Sequence, residues 1–254
     1  MTLFADNCLA GGLYLVTGAS SGIGQASTKL IASLGGRVIA AGRDEARLQA
    51  TLAGLHGSGH AIAVASLADA DQTAEWASHL AETHGTFAGV FHAAGVELIR
   101  PAKLTKQEQL DQVFGSSLYA AFGIARAGSK KNVIADGGSL VFMSSVAGST
   151  GQAGMTAYSA AKAGIDGLVR SLACEMAPRK IRVNSIAAGA VHTAMHERLT
   201  GGSPDEALAA YEKSHLLGFG EAGDVAQSAL FLLSGASRWI TGTTLVVDGG
   251  YKVR

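Results

Sequence analysis

The chain has little of what would mark several protein classes. Cys8 and Cys174 are its only cysteines in 254 residues. They are too few and too far apart for a disulfide framework or a zinc site, and a reduced, cytoplasmic setting follows. Proline is scarce at three residues, and no Pro/Ser-rich linker or charge run divides the chain, so one domain over residues 1–254 is expected. The 20 basic and 20 acidic side chains cancel, leaving no field to attract nucleic acid or a charged membrane. No uninterrupted apolar run nears membrane-spanning length. The start of the chain holds Asp6 and no basic cluster before an apolar core, so neither a transmembrane helix nor a secretion signal is expected.

Glycine, by contrast, is abundant at 34 residues, much of it closing apolar runs, where tight turns or close ligand approach need no side chain. Leu13-Tyr14-Leu15-Val16 runs into Thr17-Gly18-Ala19-Ser20-Ser21-Gly22-Ile23-Gly24, followed by a helical pattern to about Leu34. Strand, glycine turn and helix in that order open a dinucleotide-binding unit. Gly18, Ser20, Ser21, Gly22, Ile23 and Gly24 are then candidate pyrophosphate contacts at a helix N-terminus. The alternative is an ordinary turn with extra glycines.

The second strand, Arg37 to Ala41, ends at Gly42-Arg43. A carboxylate at this strand end serves an adenosine ribose, whereas arginine accommodates a 2′-phosphate. With Gly42 at the acidic position and Arg43 after it, NADP(H) is expected over NAD(H). An Arg43 merely solvated or paired with Glu45 is the competing reading. Further on, the pattern predicts a helix from Asp44 to about Leu55, a strand from His60 to Ala65 and a helix to about His84. Phe87 to Phe91 then leads into His92-Ala93-Ala94-Gly95. These small residues fit backbone passing close to a cofactor, and His92 reads as a strand-end histidine with a structural hydrogen bond rather than a catalytic base.

A long helix is predicted from Thr105 to about Ala127, with Thr105 and Glu108 as a capping box. A strand follows at Ser139 to Phe142, a helix from Thr156 to about Met176 and a strand from Ile181 to Ile186. Residues 191–219 read as a substrate lid on short helices, and a helix from Ala222 to Leu233 and a strand from Thr244 to Val247 close the chain. Such alternation implies an α/β fold, a doubly wound parallel sheet with helices on both faces and one crevice at the strand C-terminal ends.

Within that frame Tyr158 and Lys162 stand four apart on one helix face, thirteen residues beyond Ser145 at a strand end. An ammonium beside a phenol favours the phenolate and brings its pKa toward the working range, and a serine hydroxyl would hold a carbonyl or hydroxyl oxygen against it. His192, His196 and His215 match no metal-ligand spacing, and no metal is expected.

Together these motifs resemble the short-chain dehydrogenases/reductases over nearly the whole length, through Arg182-Val183-Asn184 to Asp248-Gly249-Gly250. The resemblance implies that Tyr158 is the general acid for carbonyl reduction. Lys162 would lower its pKa and hold the nicotinamide ribose, and Ser145 would place the substrate oxygen. Thr193 and the Val191 backbone would bind the carboxamide, and relatives are commonly homotetramers. Four departures stand out: His92 for the first asparagine of the usual Asn-Asn-Ala-Gly, Ala188 before Gly189 for a proline, Ser66 (beside Leu67) for an adenine-contacting aspartate, and Ser117, or Ser116, for the asparagine completing the catalytic tetrad. A serine there keeps a shorter hydroxyl for the proton path behind the lysine. The expectation is an NADP(H)-dependent oxidoreductase acting on a small-molecule ketone or secondary alcohol. A cofactor-binding sensor is the alternative from another class; a nucleotide-sugar lyase or epimerase would need more chain after Gly189.

Overall fold

A computed structural model describes residues 4–200 and 204–253, the side chains of Leu199 and Thr200 excepted. Seven strands carry the fold: β1 (Leu13–Thr17), β2 (Arg37–Gly42), β3 (Ala61–Val64), β4 (Phe87–His92), β5 (Ile134–Ser145), β6 (Arg182–Ala188) and β9 (Thr244–Val247). They form one sheet in the order β3-β2-β1-β4-β5-β6-β9, every pair parallel. Two-residue strands β7 (Val191–His192) and β8 (Gly220–Glu221) pair separately. The helices are α1 (Gly22–Ser33), α2 (Glu45–Ala53), α3 (Ala70–His84), α4 (Gln107–Phe114), α5 (Ala120–Gly128), α6 (Thr156–Met176), α7 (Ala194–Thr200), α8 (Asp205–Lys213) and α9 (Ala222–Leu233).

The period-two pattern of β1 divides its side chains between two cores, as a sheet covered on both faces requires. Leu13 and Leu15 pack with Ala74, Ile124, Ile165 and Leu168 from α3, α5 and α6. Tyr14 and Val16 pack with Ile31, Leu48, Val225 and Leu230 from α1, α2 and α9. The doubly wound expectation is met. Because β2 and β3 extend one way from β1 while β4 and β5 extend the other, the connections diverge between β1 and β4 and open a crevice at their C-terminal ends.

Three local expectations change. The long helix from Thr105 is interrupted: a π-helical stretch, Gly115–Tyr119, separates α4 from α5. Gly115 presses on the next segment so closely that a Cβ there would stand 2.8 Å from the Ala68 carbonyl oxygen. Secondly, the capping pair falls one residue later than Thr105 and Glu108. Lys106 is the N-cap and its N–H donates to Gln109 Oε1 at 3.1 Å, while Thr105 Oγ1 donates to the Pro101 carbonyl. Thirdly, β5 begins at Ile134 and its register against β4 shifts between Phe87 and Gly89. The stretch expected to form a lid carries the short helices α7 and α8; Gly201 and Gly202 lie outside the described residues.

Candidate active site

One cleft of about 970 Å³ runs along the strand ends, from Arg43 past Ser145 and Tyr158 to Arg198. At its first end, Gly18 holds φ +68° with its Cα against the Ala93–Ala94 backbone, 3.0 Å from where a Cβ would stand, and a Cβ on Gly24 would fall 2.3 Å from the Gly18 carbonyl oxygen. Only glycine permits this close passage. Ser21, the N-cap of α1, makes no side-chain capping bond and no acidic residue occupies the first turn. The free N–H groups and positive end of a twelve-residue helix thus face the cleft, as a bound phosphate requires. These features fit a dinucleotide.

Beyond the phosphate cradle, Arg43 is exposed, and no ion pair joins it to Glu45 among the described residues. The neighbouring acid is occupied: Asp44 accepts the Arg47 N–H at 3.0 Å as the cap of α2 and pairs with Arg47 Nε at 3.1 Å. Ser66 and Leu67 line the same end, with Ala93, Ala94 and Gly95 forming the floor.

The residues expected to transfer a proton meet midway. Lys162 is buried on α6, and its Nζ donates to the Met143 carbonyl at 2.9 Å and sits 5.5 Å from the Tyr158 ring centre. Burial lowers the Lys162 pKa to about 8, against a smaller opposing pull from Asp166. Ser145, at the end of β5, accepts the Ala147 N–H at 3.2 Å. Its hydroxyl remains available to the Tyr158 oxygen. The phenol departs from expectation: burial pushes its pKa up to about 12, Ser145 lowers it in part, and Glu97 and Tyr211 raise it further. The Lys162 ammonium is not what dominates there, because desolvation of a would-be phenolate outweighs a cation placed over the ring. Tyr158 is therefore held as the proton-bearing form.

His92 and Ser117 are not on the cleft wall. Both are buried behind it, His92 1% and Ser117 0% exposed. The Thr17 hydroxyl accepts the Ala94 N–H at 3.1 Å and meets His92 Nδ1 at 2.9 Å. The contact ties the ring to the backbone of the cleft floor whichever ring nitrogen carries the proton. This is the structural hydrogen bond the sequence led us to expect. Burial, and then the Lys162 charge, lower the His92 pKa to about 3, while the nearby Ser117 main chain raises it slightly. Nε2 nevertheless meets no partner at hydrogen-bonding geometry, nor does Ser117 Oγ. Ser117 does flank the lysine: a Cβ on Gly95 would stand 3.1 Å from Ser117 Oγ and 3.4 Å from Lys162 Nζ. Ser116, the alternative, is instead on the cleft, its hydroxyl donating to the Gln112 carbonyl.

At the far end Gly189, Val191 and Thr193 line the wall, and Thr193 Oγ1 caps α7 by accepting the His196 N–H at 3.2 Å. His215 holds the same loop from behind, its Nε2 accepting the Ala190 N–H at 3.2 Å. No spacing rule would have found that contact. His192, His196 and His215 pack edge-on around Phe219, at 5.6, 4.7 and 5.2 Å between ring centres. Glu97, Gln112, Met155, Arg198 and Tyr211, which the sequence did not single out, also line the wall.

With this geometry in view, comparisons with known proteins agree with one another. A family model described as enoyl-(acyl carrier protein) reductase matches residues 18–252. Carbonyl reductase family member 4 of Danio rerio is 36% identical over 241 residues, covering 95% of this chain and 98% of the relative. The 3-oxoacyl-[acyl-carrier-protein] reductase of Thermotoga maritima is 34% identical over 247 residues, covering 96% and 99%. A Beutenbergia cavernae structure described as an NAD(P)-dependent gluconate 5-dehydrogenase, with NADP bound at low occupancy, superposes with a TM-score of 0.89 at 32% identity, covering 98% of this chain and 100% of that one. Among the described residues no helix is long and apolar enough to cross a membrane. The chain belongs to the short-chain dehydrogenase/reductase family of oxidoreductases and is similar to its 3-oxoacyl-acyl-carrier-protein reductases.

Proposed function

We propose that the protein is an NADP(H)-dependent oxidoreductase that interconverts a ketone and a secondary alcohol, with Tyr158 as the general acid and base. The observation that carries this reading is that Ser145, Tyr158 and Lys162 line the same cleft as the Gly18–Gly24 phosphate cradle. When bound, a nicotinamide supplies or takes the hydride. Ser145 holds the reacting oxygen, and Tyr158, kept protonated by burial, gives it the proton in reduction. Lys162, still largely charged at neutral pH, holds the ribose and replenishes the proton, with Ser117 behind it as the next hydroxyl on that path.

Preference for NADP(H) rests on Arg43, exposed and without an acidic partner among the described residues, beside a Gly42 that cannot repel a phosphate. Gly18, Ser20, Ser21, Gly22, Ile23 and Gly24 hold the pyrophosphate, with Ser66, Leu67, Ala93, Ala94 and Gly95 along the adenosine and ribose. Gly189, Val191 and Thr193 bound the nicotinamide end. His92 supports that floor from behind through Thr17. A cytoplasmic homotetramer is the assembly proposed, from the small residues of α5 and α6 and the habit of the family. Following nicotinamide oxidation by absorbance, with NADPH and with NADH, against a panel of carbonyl compounds tests the reading. Turnover with NADPH supports it; tight NADPH binding with no turnover across the panel would favour a sensor.

A further inference from the structure

The polar groups at the lid end of the cleft have unspent bonding capacity. Among the described residues lining it, the arginines and lysines are Arg43, Arg47, Lys162 and Arg198. The first two belong to the adenosine end, and Lys162 serves the ribose and the proton path while bonded to the Met143 carbonyl. Arg198, on α7, is therefore the guanidinium at the substrate end. It meets Glu97 of the loop after β4, Nη2 to Oε1 at 3.3 Å, with the arginine side chain 62% exposed and the glutamate 12%. Each uses one contact of several: guanidinium has five N–H donors and a carboxylate about four acceptor sites. With its arginine in solvent the pair is screened and contributes on the order of 1 kcal/mol at most, so it opens readily for a ligand.

Two more polar groups line the same cleft. The Gln112 amide and the Tyr211 hydroxyl both line the cleft, and neither has a side-chain hydrogen-bond partner among the described residues. Glu97 and Tyr211 both act electrostatically on the Tyr158 oxygen, and Glu97 carries Arg198 with it through their contact, so this pair belongs to the reacting part of the cleft. Four polar groups of this kind reject an apolar chain, because desolvating them without partners is costly. They accept a compound that brings its own donors, acceptors and negative charge.

Granting the oxidoreductase reading, we propose that Arg198 and Glu97 are the substrate-recognition pair, and that the substrate is a hydroxylated carboxylic acid or its keto form. Arg198 takes the carboxylate and Glu97 accepts from a substrate hydroxyl, with Gln112 and Tyr211 completing the set. Met155 and Met195 supply the apolar wall beside the carbon skeleton.

Four carbonyl compounds separate the possibilities: ketogluconate (anionic and hydroxylated), levulinate (anionic), cyclohexanone (neutral) and the acetoacetyl thioester of N-acetylcysteamine (neutral). Each is offered to the full chain with NADPH and with NADH. Ketogluconate should have the highest kcat/KM. In Arg198→Gln its KM should rise roughly 10–100-fold, the loss of a charge-assisted hydrogen bond, with kcat little changed and cyclohexanone unaffected. Glu97→Gln should narrow the advantage of ketogluconate over levulinate. Arg198 is exposed, so its replacement does not endanger the fold. Preference for cyclohexanone or the thioester, or an Arg198→Gln effect equal for charged and neutral compounds, overturns the assignment and leaves the oxidoreductase reading intact. No turnover of any of the four with either cofactor counts against the oxidoreductase reading itself, and the assignment falls with it.

Discussion

His92 should make the protein sensitive to mild acid in a way its family-typical asparagine would not. The imidazole is 1% exposed, is hydrogen-bonded to Thr17 through Nδ1, and is deeply buried within reach of the Lys162 charge; burial first and that charge second take its pKa from 6.5 to about 3. The sign follows from linkage: the folded-state pKa is depressed, so below 6.5 the unfolded chain takes a proton that the folded chain refuses. Stability is complete above pH 6.5 and is lost progressively as pH falls from there toward 3. With those two values, the loss between pH 8 and pH 5 is about 2 kcal/mol from this one group. His92→Asn keeps an acceptor near Nδ1 for Thr17 but does not titrate. Urea unfolding of both proteins at pH 8 and pH 5 measures the effect, since every other titrating group is shared. The variant should lose about 2 kcal/mol less than the parent between the two pH values. Parallel losses would refute the buried, neutral imidazole.

Three further outcomes are expected. Arg43→Ala should weaken NADPH roughly 10–100-fold while leaving NADH nearly unchanged, because only the 2′-phosphate needs the guanidinium; competitive fluorescence titration with both cofactors reads it directly, and equal losses would contradict the assignment. Carbonyl reduction should slow as pH rises through about 8, where Lys162 loses its proton; a pH profile of kcat flat from 7 to about 9.5 would remove the lysine from the proton path. Ser117→Asn should leave turnover unchanged or raise it, since it restores a longer hydrogen-bonding side chain beside Lys162, and a collapse in kcat would show that the buried hydroxyl has another task.

Much of the frame was legible because local and long-range signals agreed. Thr156–Met176, Ala222–Leu233 and Thr244–Val247 fall where the pattern places them, each with strong periodicity and clear punctuation. Tyr158, Lys162 and Ser145 come together because helix spacing and strand-end position are both written locally. What escaped depends on distant parts of the chain. The π-helical stretch has no period of its own and accompanies the contact of Gly115 with Ala68. The start of β5 was hidden by Gly137 and Gly138, which mask a strand that pairing with Phe87 creates. Glu97 and Arg198 are 101 residues apart in sequence. The pKa of Tyr158 was misjudged in direction because a sequence shows the neighbouring ammonium but not the depth of burial.

The central claim is that Tyr158 gives and takes the proton while hydride crosses to a bound nicotinamide. The most direct measurement compares Tyr158→Phe with the parent protein for NADPH affinity and for carbonyl-dependent NADPH oxidation. The account predicts unchanged NADPH affinity and a rate lower by roughly 10²–10⁴-fold, the usual contribution of a positioned acid. Turnover surviving in the phenylalanine variant at more than about a tenth of the parent rate would contradict it.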